Sequence, residues 1–172
     1  MKPKTRPNSH ETLVPEDAFM VTKTDPEGHI CYASRLCCEI SGYHETELLG
    51  EPHNIIRHPD MPQSLFHLLW DTLKSGQEFN AILKNLRQDG GYYWTFTNIS
   101  PSTSGDGKLV GYYSVHRKPT RHAITVIQKL YQEMRAAEAN SGKGNAIAAA
   151  TKVLNTQLES CGISYDQFIL TL

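Results

Sequence analysis

The period of hydrophobic and polar positions changes repeatedly along this chain. Ala18 to Thr24 alternates and predicts a strand, Asp25-Pro26-Glu27-Gly28 reads as a tight turn, and His29 to Ala33 is the returning strand of a hairpin. From Ser34 to Arg57 the apolar positions fall in short runs interrupted by Gly42 and Gly50, which predicts short connecting helices. After Pro62, tolerated in a first helical turn because its missing N–H has no partner there, Leu65, Leu68, Leu69, Trp70 and Leu73 recur at helical spacing until Gly76. Three strand-like runs follow: Glu78 to Arg87, Tyr92 to Ser100 and Lys108 to Arg117. Asp89-Gly90-Gly91 and Ser104-Gly105-Asp106-Gly107 join them into an antiparallel meander.

Two strands, short helices and three more strands predict an α+β domain over residues 16–118, with helices on one face of a five-stranded antiparallel sheet. Residues 1–15 contain three prolines and several charges without a hydrophobic period, so a flexible cap is expected there. Residues 119–172 read as a helical extension for signal transfer or assembly. Ile124, Ile127, Leu130, Tyr131 and Met134 form a stripe that must be buried in a homodimer or against the sheet. An alanine-rich helix to about Ser160 follows Asn140-Ser141-Gly142-Lys143-Gly144, and Ser164-Tyr165-Asp166-Gln167 resembles a capping box.

Charge adds little: 17 Lys and Arg against 18 Asp and Glu leave no electrostatic footprint for nucleic acid or an anionic membrane. Cys31, Cys37, Cys38 and Cys161 form no Cys-x-x-Cys pair and read as reduced thiols. No apolar run approaches the roughly 18 residues of a bilayer span, and Met1 to His10 lacks a signal-peptide core, so a cytoplasmic location is expected. No Ser-His-Asp order, paired-carboxylate motif or glycine-rich phosphate loop appears, and no enzymatic activity is expected.

The tract Gly50-Glu51-Pro52-His53-Asn54-Ile55-Ile56-Arg57-His58-Pro59-Asp60-Met61-Pro62 closely resembles the signature of PAS domains in bacterial aerotaxis receptors, which ends in Arg-His-Pro-Asp-Met-Pro. Ser41-Gly42-Tyr43, Trp70-Asp71-Thr72-Leu73-Lys74, Lys84-Asn85, Tyr93-Trp94 and Gly111-Tyr112 continue the match in the family's order, which stops near Arg121. The resemblance implies a PAS fold, FAD held non-covalently between helices and sheet, and a redox or oxygen signal passed to a partner protein without substrate turnover. It also implies that Arg57, His58, Asp60, Trp70 and Asn85 are the cofactor-binding residues. Where the family commonly has Asn-Asp after the second strand, this chain has Ser34-Arg35, one amide fewer for a cofactor.

The residue types suit that ligand. Arg57 can pair with phosphate oxygens, Trp70 can pack on a flat ring, and alternation puts the Asn85 amide on one strand face with Phe79, Ala81 and Leu83. Plainer roles stand beside these. Arg57 and Asp60 can form a local ion pair that fixes the loop, His58 can hold loop shape, Trp70 can be core, and Asn85 can cap backbone. The spacing of His53, His58 and Asp60 matches no zinc motif. His67, on the long helix, is the candidate ligand if the domain binds haem. A cofactor-free interaction module is the remaining alternative. The Asn-Cys-Arg-Phe-Leu-Gln tract of thiol-adduct photoreceptors is absent, and Cys37-Cys38 reads as small buried apolar residues.

Overall fold

A computed structural model describes residues 5–142 and 144–172. The hairpin forms as β1 (Met20–Thr24) and β2 (Ile30–Ala33), closed by Asp25, whose carboxylate accepts from the His29 N–H at 2.8 Å. Helices α1 (Arg35–Ser41) and α2 (Glu45–Leu48) and a single 3₁₀ turn (His53–Ile56) lead to α3 (Gln63–Lys74). The meander follows as β3 (Phe79–Leu86), β4 (Tyr92–Thr103) and β5 (Leu109–Arg117). The sheet is antiparallel in the order β2-β1-β5-β4-β3, so β1 and β5 join hairpin to meander at its centre. Strand β4 runs past the expected Ser100 through Pro101. β3 begins at Phe79, opposite Ile99, so one side of β4 is free of pairing beyond that point, and a residue without an N–H is tolerated there.

Ser34 caps α1. Its hydroxyl accepts from the N–H groups of Val21 and Cys37, at 3.0 and 3.4 Å, so the residue that departs from the family pattern welds the end of the hairpin to the first helix.

The expected flexible cap needs amending, with Met1 to Lys4 lying outside the described residues. Residues 8–12 run along the β3–β4 turn: Asn8 N–H donates to Gly90 O, Thr12 N–H donates to Tyr92 O, and His10 O accepts from Tyr92 N–H. Val14 is buried. A side chain on Gly90 would meet the Arg6 carbonyl at 2.4 Å, so this segment lies against a turn that only glycine makes close enough. Proline content signalled irregular backbone correctly but carried no information about these long-range bonds.

Helices α4 (Arg121–Asn140), α5 (Ala146–Cys161) and α6 (Tyr165–Thr171) complete the chain, and Ser164 with Gln167 forms the expected capping box. The apolar stripe folds back on its own chain: Ile124, Ile127, Leu130, Tyr131 and Met134 are buried in one cluster with Leu65, Leu69 and Leu73 of α3, Ile82 of β3, Leu154 of α5 and Phe168 of α6. A homodimer is therefore not needed to cover it.

The fold-back also solves an edge problem. β3 is the last strand of the sheet, and unpaired edge backbone invites association. Tyr131 donates its hydroxyl to Ile82 O at 3.0 Å, Met61 Sδ accepts from Lys84 N–H at 3.2 Å, and Arg57 forms an isolated bridge to Asn85. Phe79 stacks on Tyr165 of α6 with ring centroids 5.2 Å apart.

Met134 has no exposed surface, so Met134→Ala is expected to lower the unfolding free energy by about 2–5 kcal/mol in urea titration. A change under about 0.5 kcal/mol would mean that α4 is only loosely docked.

Candidate functional site

The apolar interior divides into two clusters, one around α3, β3 and the C-terminal helices and one around Met20, Ile30, Cys37, Ile56 and Tyr93. Where they meet, a cavity of about 350 Å³ lies between the sheet and α3. Ile56, Leu69, Leu73, Leu83 and Ile99 give it apolar walls, and Asn85, Thr97, Ser114, His116 and His53 bring polar groups. It shares Asn54, Arg57, Phe66 and Trp70 with an outer cleft of about 890 Å³, bounded on its far side by Arg135, Glu138 and Ile147 of the C-terminal helices.

Trp70 stands edge-on to Tyr112, with centroids 5.5 Å apart, and reaches the β1–β2 turn. A Cβ on Gly28 would lie 3.2 Å from its ring, so the glycine makes room for the indole. Asn85 is buried on the cavity face, as alternation predicts, and donates its Nδ2 to Thr95 Oγ1 at 3.0 Å. Arg57 lies over the Phe66 ring, 3.8 Å from its centroid, and donates to Met61 O. Burial lowers its pKa, but a guanidinium stays charged at any relevant pH.

The expected Arg57–Asp60 pair is not what fixes the loop. Asp60 instead meets Lys84 at 2.6 Å and Arg135 at 3.2 Å, tying the loop to β3 and α4. Burial pushes its carboxyl upward, yet the Lys84 hydrogen bond and the charges of Lys84, His58 and Arg135 outweigh this and hold it below the usual carboxylate range. His58 accepts the Asp60 N–H at Nδ1, so its proton sits on Nε2, which is buried and has no protein partner. Burial, helped by Lys84, pushes its pKa down to about 4.

Sequence reasoning missed the residues that connect this site. On the cavity face, Asn85 donates to Thr95, Thr95 Oγ1 contacts Thr97 Oγ1 at 2.9 Å, and Thr97 Oγ1 contacts His116 Nδ1 at 2.9 Å. His116 Nε2 lies 3.3 Å from Thr22 Oγ1, which lies 3.0 Å from His53 Nε2. The two imidazoles stack, 6.1 Å between centroids and 15° between planes. The row crosses β3, β4, β5 and β1 to the 3₁₀ turn without a gap. Its signal was present as paired polar residues at period two, Thr22 and Thr24, Thr95 and Thr97, Ser114 and His116, but such positions normally mark a solvent face. Here they point inward.

Ser34 and Arg35 do not line the cavity; Arg35 is exposed and paired with Glu39. His67 is half-exposed, 2.9 Å from Asp71, and lines only the outer cleft. Cys37 is buried, and burial raises its thiol pKa to about 12, an inert small apolar residue as expected. His53 faces the cavity whereas His58 and Asp60 lie in the loop beyond it, and no cluster of three or more metal-ligating side chains occurs among the described residues.

The family model described as the PAS fold matches residues 30–116, the span that carries most of the cavity lining. The chain belongs to the PAS family. It is 37% identical to the aerotaxis receptor of Escherichia coli over 125 residues, 73% of this chain, and 29% identical to a nitrogen fixation regulatory protein of Klebsiella oxytoca over 146 residues, 85% of this chain. The chain spans 24% and 29% of those relatives' lengths. A structure described as a flavin analogue study of a light-oxygen-voltage domain superposes with TM-score 0.57 at 24% identity, covering 67% of this chain and 86% of that one. The dark state of the Aureochrome1 light-oxygen-voltage domain gives 0.55 at 24% identity, covering 70% and 85%. Both likenesses establish the five-stranded PAS fold. No helix among the described residues is long and apolar enough to cross a membrane.

Within this PAS domain, burial lowers the pKa of His116 to about 3 and of His53 to about 4, from 6.5 in the unfolded chain. Between those values the unfolded state binds protons that the native state refuses, so stability falls as pH drops from about 6.5 toward 4. Each buried histidine contributes a slope of at most about 1.4 kcal/mol per pH unit. Urea titration is expected to show a smaller slope in His116→Gln than in wild type; equal slopes would mean that His116 is not held neutral.

Proposed function

We propose that the chain is a cytoplasmic PAS sensor that binds FAD non-covalently and signals its redox state, or oxygen through it, to a partner protein without turning over a substrate. The observation that carries this reading is a cavity with apolar walls and one polar side that opens into a larger, partly cationic cleft. The inner volume lies within the roughly 300–1,000 Å³ of ligand pockets, and a flat ring with donors and acceptors along one edge matches its lining. Bound flavin supplies reversible electron uptake.

The chain's residues divide the work. Trp70 and the leucines of α3 cover the ring face, and Asn85, its nitrogen engaged by Thr95, has its carbonyl left to accept from a ring N–H. Arg57, where cavity and cleft meet, pairs with phosphate oxygens. His58 lines the cleft beside Arg57, with its own Nε2 buried away from solvent. Asp60 is occupied by Lys84 and Arg135 and so positions this loop rather than touching the ligand. The outer cleft favours the dinucleotide over FMN, because only the longer cofactor has an adenosine half to fill it. The haem alternative loses support, since His67 faces Asp71 outside the inner cavity. A homodimer, if formed, uses a surface other than the α4 stripe.

Purified protein is expected to show flavin absorption bands, to release FAD on denaturation, and to lose most bound flavin in Trp70→Ala and Asn85→Ala. A haem Soret band, or colourless protein that fails to take up FAD, would overturn the reading. Full flavin retention in both variants would remove those two residues from the site.

A further inference from the structure

We infer that the row Thr95, Thr97, His116, Thr22 and His53 is a positioning element for Asn85, a polarised hydrogen-bond chain that locks the orientation of the Asn85 amide to the tautomers of two buried histidines. The inference follows from counting protons. Each threonine hydroxyl has one proton to donate, a neutral imidazole has one N–H, and the five contacts of the row need five donors. With Nδ2 of Asn85 donating to Thr95, Thr95 donates to Thr97 and Thr97 to His116 Nδ1. His116 then carries its proton on Nε2 and donates to Thr22, which donates to His53 Nε2, leaving the His53 proton on Nδ1. Every contact is filled, in one direction.

Turning the amide by half a revolution presents Oδ1 to Thr95 instead. The only fully satisfied arrangement then runs backward: His53 Nε2–H to Thr22, Thr22 to His116 Nε2, His116 Nδ1–H to Thr97, Thr97 to Thr95, and Thr95 to the amide oxygen. Mixed directions leave one contact of the row with no proton or with two, both costly in an enclosed site. Both imidazoles are neutral at physiological pH because burial disfavours their charged forms, so the row has two states that differ in direction and not in charge. The two states always place the proton on opposite nitrogens of the two rings.

One end of the row lies on β3 facing the cavity, and the other on the 3₁₀ turn that precedes Arg57. An event that turns the amide is therefore registered across four strands. As a positioning element for flavin the row rests on the proposed function above; as a coupled chain it does not.

Nitrogen NMR of histidine-labelled protein free of cofactor tests the coupling directly, with His53 and His116 assigned by replacing each in turn with Gln. The expected wild-type pattern is His116 protonated on Nε2 and His53 on Nδ1. Asn85→Asp, measured where its carboxylate is ionised and accepts only, is expected to reverse both rings together. Asn85→Asp with Thr97→Val, which lacks the linking hydroxyl, should leave His116 unreversed, while Asn85→Asp with Thr97→Ser should restore the reversal. Wild-type rings protonated on the same-named nitrogen, or reversal of one ring alone in Asn85→Asp, would overturn the chain, and the wild-type result decides even if the variants misfold. In FAD-loaded protein, reduction that turns the amide should invert both rings together, and inversion of one alone would again overturn the chain. Failure of FAD to bind would remove the flavin reading and leave the cofactor-free result to decide the row.

Discussion

Six polar side chains on the inner face of the sheet, from Asn85 to His53, must satisfy one another's hydrogen bonds within the core, and much else in this PAS domain follows from that constraint. Burial keeps two of these groups, the His53 and His116 imidazoles, neutral far below their ordinary pKa. The constraint also divides the apolar interior into two clusters, because no hydrocarbon can pack over an edge of hydroxyls and imidazoles without stranding them. The cavity occupies the break between those clusters, with apolar walls facing the polar row and Glu27, Arg57 and Lys84 also on its lining. The same residues that would weaken a filled core therefore border a cavity.

A second arrangement connects that site to the end of the chain. The C-terminal helices do not stand apart from the sheet; α4 follows β5 after three residues and closes the exposed edge of β3 through Tyr131 and its apolar stripe. Arg135 reaches Asp60, and Glu138 accepts from the Ser64 N–H at 2.8 Å, at the start of α3. The cavity loop, the strand bearing Asn85 and the long C-terminal helix thus share polar contacts as well as a core. A hydrogen-bond change at Asn85 is worth only about 1–3 kcal/mol, so such a change alters α4 only if the helix sits near balance between two packings.

Local signals in the sequence carried the fold well. Turn residues at Asp25 to Gly28 and Asp89 to Gly91, the helical spacing after Pro62 and the alternation of the later strands each rest on short-range physics, and each element formed in the expected order, with β4 running three residues further than expected. Of the residues singled out by the resemblance, Arg57, Trp70 and Asn85 line the inner cavity and His58 lines the outer cleft. Illegible features were those set by strand order. Thr22, Thr97 and His116 lie far apart in sequence, and their alternation is that of a solvent-facing strand side; only the β1–β5 and β4–β5 pairing turns them toward one another. The partners of Asp60 were illegible for a related reason: Lys84 and Arg135 come from a distant strand and from the C-terminal helix, and the plainer reading offered only the neighbouring Arg57. The ordered stretch near Val14 was missed because its bonds are to a turn eighty residues away.

On the proposed reading, the redox state of the inner cavity is passed through the sheet to α4. Hydrogen exchange on FAD-loaded protein, compared between oxidised and reduced forms, measures that most directly. Altered protection is expected in β5 and across residues 121–140, with little change in the exposed β4–β5 turn. Identical exchange through β5 and α4 in both redox states would contradict that reading.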